Sequence, residues 1–482
     1  MFHKPRFQSC NPRSTTLLMA SQTAKRRKPG QAVQKASGSP ATAASTKTVQ
    51  SPAATALSNP IGGIRLQVTV FLVAFLIICL RRPDAVLNAQ FYAEDGAYWF
   101  ADAYRVGLHS LLLPQTGYLH TLTRIVALVT LLVPFSYAPL VMNLSAMAVQ
   151  ILPVNVLLSS RFANLDLRIR LLASFIYLDL PNTFETNANL SNIQWRLAVL
   201  AFLLLVAQRP INWGWKIFDG TVFVVTSLDG PMGILLVLVA AALWWKRQEK
   251  WQTATLWLLA PGAAVQAITV LTHLHARQAP HINLAGEVVE AVYGANGTTV
   301  GRLVSILGRQ IFFSSLLGLN GQNWFLDLPA TTFFEVLALA IGVAVLVYAL
   351  RYAPIELKLF IFFAFAVLAL GLTRPLAGTP DRPQWEWLCV PGCGNRYFFL
   401  PMLAFLASLL WIATGKASAR ALRYIAMALL LLMPIGIYRD WHYPAFVDYH
   451  FQEYADKFEH APPGTKMTIP INPGWSMKLT KR

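Results

Sequence analysis

Acidic residues are scarce in this 482-residue chain, and none occurs before Asp84. Charged residues of both signs make up only 13%, against about 25% in an ordinary soluble domain, which excludes such a domain as the bulk of the chain. Hydrophobic residues reach 55% and the mean hydropathy is +0.47. They gather in repeated runs of roughly 15 to 22 residues, close to the length at which a helix crosses a bilayer core. Because the runs are continuously apolar rather than alternating, a membrane β-barrel is excluded. No internal repeat is visible. The expected fold class is all-α, a polytopic transmembrane bundle of about eleven spans.

Cysteine is scarcer still, with four in all. Cys10 lies in the N-terminal segment and Cys79 in an apolar run, while Cys389 and Cys393 share the loop LCVPGCGNRYFF. Two cysteines without a neighbouring histidine leave a zinc site two ligands short. In an oxidising compartment the pair is expected to close a local disulfide.

The net charge of +18 is placed unevenly. Twelve Lys and Arg precede Asp84, so two thirds of the excess lies in the N-terminal segment and beside the first span. Nucleic acid is therefore not an expected partner. Residues 1–62 are rich in Ala, Ser, Thr, Gln and Pro and carry KRRK at Lys25 to Lys28. They cannot bury a core and read as a disordered, basic cytoplasmic tail touching anionic membrane lipid. An organelle transit peptide is the alternative reading of a basic, acid-free leader.

The basic tail places the N-terminus inside, and the acidic stretch after the first span then lies outside. Arg81 and Arg82, at the far end of that span, oppose this placement. The segment TLTRIVALVTLLVPF (121–135) decides the rest of the register: it is short, carries Arg124 and ends at Pro134. Taken as a helix lying in the outer interface, it leaves Arg161/Arg168/Arg170, Arg209/Lys216, Lys246/Arg247/Lys250, Arg351/Lys358 and Lys416/Arg420/Arg423 in inside loops, as the positive-inside rule requires. Spans are then expected near 64–80, 137–158, 171–183, 195–208, 217–229, 231–245, 252–273, 332–350, 357–373, 396–413 and 421–437. Residues 302–319 form a possible second interfacial helix. The multi-span domain covers 63–437, and the polar segment 438–482 reads as a short extracytoplasmic cap.

With this orientation the unusual polar residues share one side. The first outer loop supplies Tyr92, Glu94, Asp95, Trp99, Asp102 and His120. The second, PNTFETNANLSNIQW, supplies Glu185, Asn187, Asn189, Asn192, Gln194 and Trp195, and a later loop Arg396 and Tyr397. Four side-chain amides within eight residues beside an aromatic give the mixed donors and acceptors that sugar hydroxyls demand. Glu94 and Asp95 are adjacent, so on a helix their side chains diverge and cannot both face one substrate. One of them is the expected base, with the other holding a neighbouring group or a metal. A carboxylate at the lipid–water boundary beside aromatic rings has its basicity raised by desolvation, which suits a general base acting on a hydroxyl. The plain alternative is an acidic cap on an interfacial helix.

An ED pair in the first outer loop, directly after the first span of a protein with many spans, resembles the GT-C superfamily of membrane glycosyltransferases. In that superfamily the acidic motif takes forms such as DD, DE, ED and DxD, and the same loop carries helices parallel to the membrane. The resemblance covers the arrangement of residues 64–245 and, more loosely, the rest. It implies a GT-C-like bundle, a sugar donor on polyprenyl phosphate presented from the outer leaflet, and a glycan or lipid-linked acceptor. Asp95 or Glu94 would deprotonate the acceptor hydroxyl for an inverting attack on the anomeric carbon. Glu185 would bind or activate substrate, Arg396 would neutralise the departing lipid phosphate, and Tyr92, Trp99 and Trp195 would stack on sugar faces. A divalent cation stays open as a cofactor, because Glu185 is the one acid in the second loop. The large WWDYG-bearing domain of oligosaccharyltransferases has no counterpart here, so transfer to protein sequons is not expected.

Two other readings fit the same residues. A transporter or flippase of lipid-linked sugars would use midplane charges and broken helices. Pro153, Pro261 and Gly262 interrupt spans, although the acids sit at the outer rims. A polysaccharide polymerase or ligase would use the same outer-loop arginine and acids. A bacterial inner membrane fits the basic inside loops and a lipid-linked donor.

Overall fold

A computed structural model describes residues 63–273, 295–328, 330–378, 381–415 and 418–482, with the backbone of two short strands at His281–Ile282 and Val288–Val289. The basic tail 1–62 and Lys416 lie outside the described residues. Most of the described chain is helical, and eight of its helices are long and apolar enough to cross a membrane. The chain is a multi-pass membrane protein.

All eleven apolar runs expected as spans are helical, with ends within a few residues of expectation. Lys250–His273 and Ile355–Thr373 reproduce two of them closely. Leu167–Asp179, Ile193–Val206, Trp213–Leu228 and Met232–Arg247 are apolar helices of 13, 14, 16 and 16 residues. The first of these stops at Asp179 rather than near 183, because Leu180 leaves the helical region ahead of Pro181, as a pre-proline residue must. The 421–437 run is two helices, Arg420–Leu430 and Met433–Arg439. Asn395–Thr414 and Ile193–Val206 are buried along most of their length and form the centre of the bundle.

Two segments differ from simple spans. Thr121–Thr130 is one helix of ten residues, about 15 Å long against a core of about 30 Å, so it is too short to cross. It buries Thr123, Arg124, Ala127 and Thr130, a stripe at helical spacing, and exposes Ile125 and Val129 on the other face. Val300–Leu326 is long and apolar enough to span, yet its contacts put both ends at the same end of the bundle. Near its start, Arg302 pairs with Glu386 at 2.8 Å. Beyond the midpoint, Gly318 turns out of the helix at φ 71°. Leu319 and Asn320 then donate their backbone N–H groups to the Asp440 carboxylate, and Phe325 packs on Phe334 at the start of Thr331–Tyr352. The segment folds back on itself.

Arg81 and Arg82 are 0% and 2% exposed. Arg81 donates to the carbonyls of Leu178 (2.8 Å), Leu180 and Asp440, and Arg82 to those of Asn187 (3.2 Å) and Pro444 (3.1 Å). These guanidinium groups are internal struts rather than loop charges, which removes their conflict with the positive-inside pattern.

The C-terminal segment departs from an all-α fold. Phe451–Glu459 is a helix, and Lys466–Ile471 pairs antiparallel with Trp475–Thr480. KMTIPI and WSMKLT alternate, so Ile469, Ile471, Met477 and Leu479 all point inward, as the two-residue period of a strand dictates. They close a second apolar core with Phe91, Phe100, Phe135, Phe451 and Phe458. Cys389 and Cys393 are both thiols, so the local disulfide expected for an oxidising compartment is not formed.

The turn at Gly318 has no room for a side chain: a Cβ there would collide with the Asp440 carboxylate. That carboxylate cannot move away, because it also accepts from Asn182 N at 3.2 Å. Gly318→Ala therefore adds backbone strain to a clash and is expected to cost about 2 kcal/mol or more. Thermal unfolding of the purified full-length protein in detergent measures this directly, and an unchanged midpoint would refute it.

Candidate functional site

The acid pair is built from three parts of the chain. Asn472, at the tip of the C-terminal hairpin, donates its N–H to Phe91 O (3.1 Å) and accepts from Ala93 N (2.5 Å). Its side chain clamps Val447, accepting from the N–H at 2.9 Å and donating to the carbonyl at 3.0 Å. Ala93 sits at φ 46°, a left-handed conformation unusual for a residue with a side chain, immediately before Glu94. Gly96 permits the close approach behind it: a Cβ there would lie 3.0 Å from Phe91 Cβ and 3.1 Å from Ile471 Cδ1.

From this point the two carboxylates part, as their adjacency requires. Asp95 is 1% exposed and accepts from Ser191 Oγ at 2.7 Å and from Leu190 N at 3.1 Å. Burial pushes its carboxyl up from 3.8 to about 7; the Ser191 and Leu190 hydrogen bonds oppose the shift, and the Glu94 charge adds to it. Glu94 is half-buried, and among the described residues its carboxylate takes no hydrogen bond or ion pair. Its charge acts on Arg396 and on Tyr92. Asp95 thus ties the first loop to the second, and Glu94 is the accessible acid.

The second loop, 180–192, is almost wholly buried, and its amides are turned inward. Asn189 Nδ2 donates to Glu185 O (2.8 Å) and Asn187 O (3.1 Å). Asn192 Nδ2 donates to Glu185 O (3.0 Å), and Asn192 N to Asn189 Oδ1 (3.0 Å). Asn187 Oδ1 accepts from Gln150 Nε2 at 2.6 Å. Gln194 packs against Gly230, where a Cβ would overlap its side chain. Asn189 and Asn192 thereby satisfy the backbone of an irregular segment buried at the end of an apolar bundle, where an unmatched polar group is costly, while Asn187 Nδ2 and Gln194 Oε1 are buried with no hydrogen-bond partner among the described residues.

What the loop presents is Glu185. Its carboxylate pairs with the Arg396 guanidinium and accepts from Arg396 N at 3.1 Å. Arg396 also donates to Leu376 O and lies 5.0 Å from the centre of the Tyr397 ring. Tyr397 OH accepts from Leu376 N at 2.9 Å, and its ring meets Trp195 edge-on at 5.8 Å. Tyr92 stacks on Phe446 at 5.7 Å. Burial raises the Tyr92 hydroxyl's pKa, the charges of Arg82 and Arg396 lower it, and those of Glu94 and Asp95 raise it. Tyr92, Glu94, Glu185, Arg396 and Tyr397 therefore belong to one cluster, with Asp95 behind it.

Trp99 and His120 are placed differently. Trp99 is 1% exposed, with the Arg124 guanidinium 4.9 Å from its ring centre and His120 at 4.6 Å. Trp99 thus stands in the wall behind the cluster, and Trp195, 4% exposed, is likewise buried. Asp102 is neutralised by Arg105 and Arg124. His120 bridges to Asp229, whose carboxylate accepts from Leu122 N at 2.8 Å and so holds the start of the Thr121–Thr130 helix. Among the described residues no group of three His, Cys, Asp or Glu side chains is placed to hold a metal ion.

Sequence reasoning missed Ser191 and Asn472. Ser191 lies within the amide-rich stretch and carries a readable signal, a hydroxyl beside the loop's acid. Asn472 carries none, because its backbone partners Phe91 and Ala93 lie some 380 residues earlier in the chain.

The folded chain binds a proton at Asp95 more tightly than the unfolded chain does. The stabilisation this brings is complete below about 3.8 and is lost as pH rises through about 7. Asp95→Asn abolishes the titration. The thermal midpoint of the wild type relative to this variant is therefore expected to fall by several degrees between about pH 5 and about pH 8; a constant difference would refute the assignment.

No protein-family profile, curated protein or solved structure matches the chain.

Proposed function

We propose that the chain is a membrane glycosyltransferase of GT-C type, transferring a sugar from a polyprenyl-phosphate donor to a glycan or lipid-linked acceptor with inversion. The observation that carries this reading is the division of the acid pair. Asp95 is buried and held by Ser191 and Leu190, which leaves Glu94 accessible, without a bonded partner among the described residues and within the electrostatic reach of Arg396.

In this reading Glu94 is the general base and Asp95 the positioning residue. Glu94 takes the proton of the acceptor hydroxyl. The acceptor oxygen attacks the anomeric carbon from the face opposite the lipid phosphate. The carbon–oxygen bond to the phosphate breaks, and the phosphate leaves with the electron pair. Arg396 neutralises that charge, a guanidinium being well matched to phosphate oxygens, and Glu185 orients Arg396.

The acid-bearing end faces the extracytoplasmic side. Arg168, Arg209, Lys216, Lys246, Arg247, Lys250, Arg351 and Lys358 lie in short loops and helix ends at the opposite end, which supports this orientation through the positive-inside rule; Arg81, Arg82 and Arg124 at the acid end are buried, as are Arg161 and Arg170 at the other. The helices then give eleven spans, an N-terminus inside and a C-terminus outside, with Thr121–Thr130 and Val300–Leu326 in the outer interface. A bacterial inner membrane is the proposed location. Pro153 and Pro261 lie inside continuous helices and break neither span; the break that is present, at Gly318, lies in Val300–Leu326.

The test is sugar transfer from a labelled polyprenyl-phosphate sugar pool in membranes, with insertion of each variant checked by a tag. Glu94→Gln is expected to lower transfer about 10²- to 10⁴-fold, the usual contribution of a general base. Asp95→Asn should lower it less and also destabilise the protein. If Glu94→Gln keeps full transfer, the base assignment falls. If the wild type transfers sugar from none of the donors, the glycosyltransferase reading falls with it.

A further inference from the structure

The end of the bundle opposite the acid pair carries a second site. Trp213–Leu228 and Lys250–His273 begin there and Met232–Arg247 ends there. Between them lies a cleft of about 700 Å³ whose lining includes Arg209, Ile211, Lys216, Glu249, Lys250 and Trp251. Three cations face one carboxylate, and among the described residues none of the four makes an ion pair. Lys216 instead lies over the Trp213 ring at 4.7 Å.

Three further observations indicate what the cleft holds. Two helix N-termini open onto it, each adding roughly half a positive charge at its first turn. The Trp213 helix is capped by Asn212, which accepts from Trp215 N at 2.9 Å, so the helix start is rigid. Gln248, on the cleft wall, is the left-handed cap that ends Met232–Arg247 at φ 50°, donating its N–H to Trp244 O at 2.8 Å, so this wall of the cleft is fixed. Beside the cleft, Ile211 is 90% exposed and Trp213, Trp245 and Trp257 are each 75% exposed. Exposed indole rings of this kind sit at the membrane–water boundary. A free anion would use the cations and leave that apolar flank without a role, whereas a lipid uses both.

We infer that this cleft binds the phosphodiester headgroup of an anionic membrane phospholipid. Arg209, Lys216 and Lys250 surround the phosphate, and the acyl chains lie along Ile211, Trp213 and Ile217. The inference is independent of the glycosyltransferase reading, since the cleft shares no residue with the acid cluster.

Native mass spectrometry of the full-length protein, released from detergent with added phosphatidylglycerol or phosphatidylcholine, tests it. The wild type is expected to retain phosphatidylglycerol in preference to phosphatidylcholine. Each charge removed should weaken that retention about fivefold, the equivalent of about 1 kcal/mol, so the Arg209→Gln/Lys216→Gln/Lys250→Gln variant should lose about a hundredfold. All three side chains are at the surface, and the single variant Lys250→Gln gives the fivefold step should the triple variant fold poorly. Equal retention of the two lipids, or undiminished retention by the variants, overturns the proposal. Displacement of the lipid by millimolar inorganic phosphate also overturns it, because the site would then be a free-anion site.

Discussion

The acid-bearing end of the bundle depends on one constraint: helix ends that stop inside an apolar assembly must have their carbonyls met. Arg81 does this for several at once. Its guanidinium gathers the carbonyls of Leu178, Leu180 and Asp440, which belong to the end of Leu167–Asp179, the start of the buried second loop and the start of the C-terminal segment. It also lies 4.3 Å from the Tyr443 ring. A lysine offers too few donors in the wrong geometry for this, whereas five N–H groups in a planar fork suit it. Arg82 extends the same scheme to Asn187 and Pro444. The first helix, the second loop and the C-terminal segment are thereby locked together, and the acid pair is mounted between them.

On that frame the two adjacent carboxylates acquire opposite surroundings. Asp95 is desolvated, which weakens its hold on a charge, and two donors from the second loop restore part of it. Glu94 keeps access to its surroundings and stands within the electrostatic reach of Arg396. Adjacent like charges in a low-dielectric site repel strongly, and drawing Asp95 toward neutrality near pH 7 relieves its repulsion with Glu94. The hairpin tip at Asn472 fixes the backbone just ahead of the pair, so the C-terminal segment acts as part of the site's support.

Much of this architecture was legible in the sequence. Each apolar run is a helix because continuous hydrophobicity leaves a buried segment no other way to satisfy its backbone in lipid. The brevity of Thr121–Thr130 was signalled by Arg124 and Pro134. The fold-back at Gly318 was not, since it depends on Asp440, which lies 122 positions later and supplies the carboxylate that caps the restarted helix. The C-terminal hairpin was hidden by its shortness and by Pro470 and Pro473, although its two strands alternate plainly once paired. At the site, residue types were legible in the sequence and side-chain directions were not. Asn187, Asn189, Asn192 and Gln194 were conspicuous as amides, but composition cannot tell an amide that faces a ligand from one that folds its own loop. Trp99 was conspicuous as an aromatic, and only the position of Arg124 shows that its face is covered.

The Arg396–Glu185 pair bears on how a lipid phosphate would be handled in the proposed transfer. A guanidinium fully neutralised by a carboxylate would have little left for a leaving group, but the pair is not arranged that way. Glu185 takes the Nη1 side and the backbone N–H of Arg396, while Nη2 goes to the carbonyl of Leu376. A carbonyl is a neutral acceptor, and hydrogen bonds between charged groups are roughly twice as strong as neutral ones. An arriving phosphate therefore competes with Leu376 rather than with Glu185. The carboxylate keeps the guanidinium aimed, and the exchange of a neutral acceptor for an anionic one favours the state in which the phosphate carries the most charge. In the proposed transfer that state is the one reached as the bond to the sugar breaks, so the same pair would serve orientation before the reaction and charge stabilisation during it.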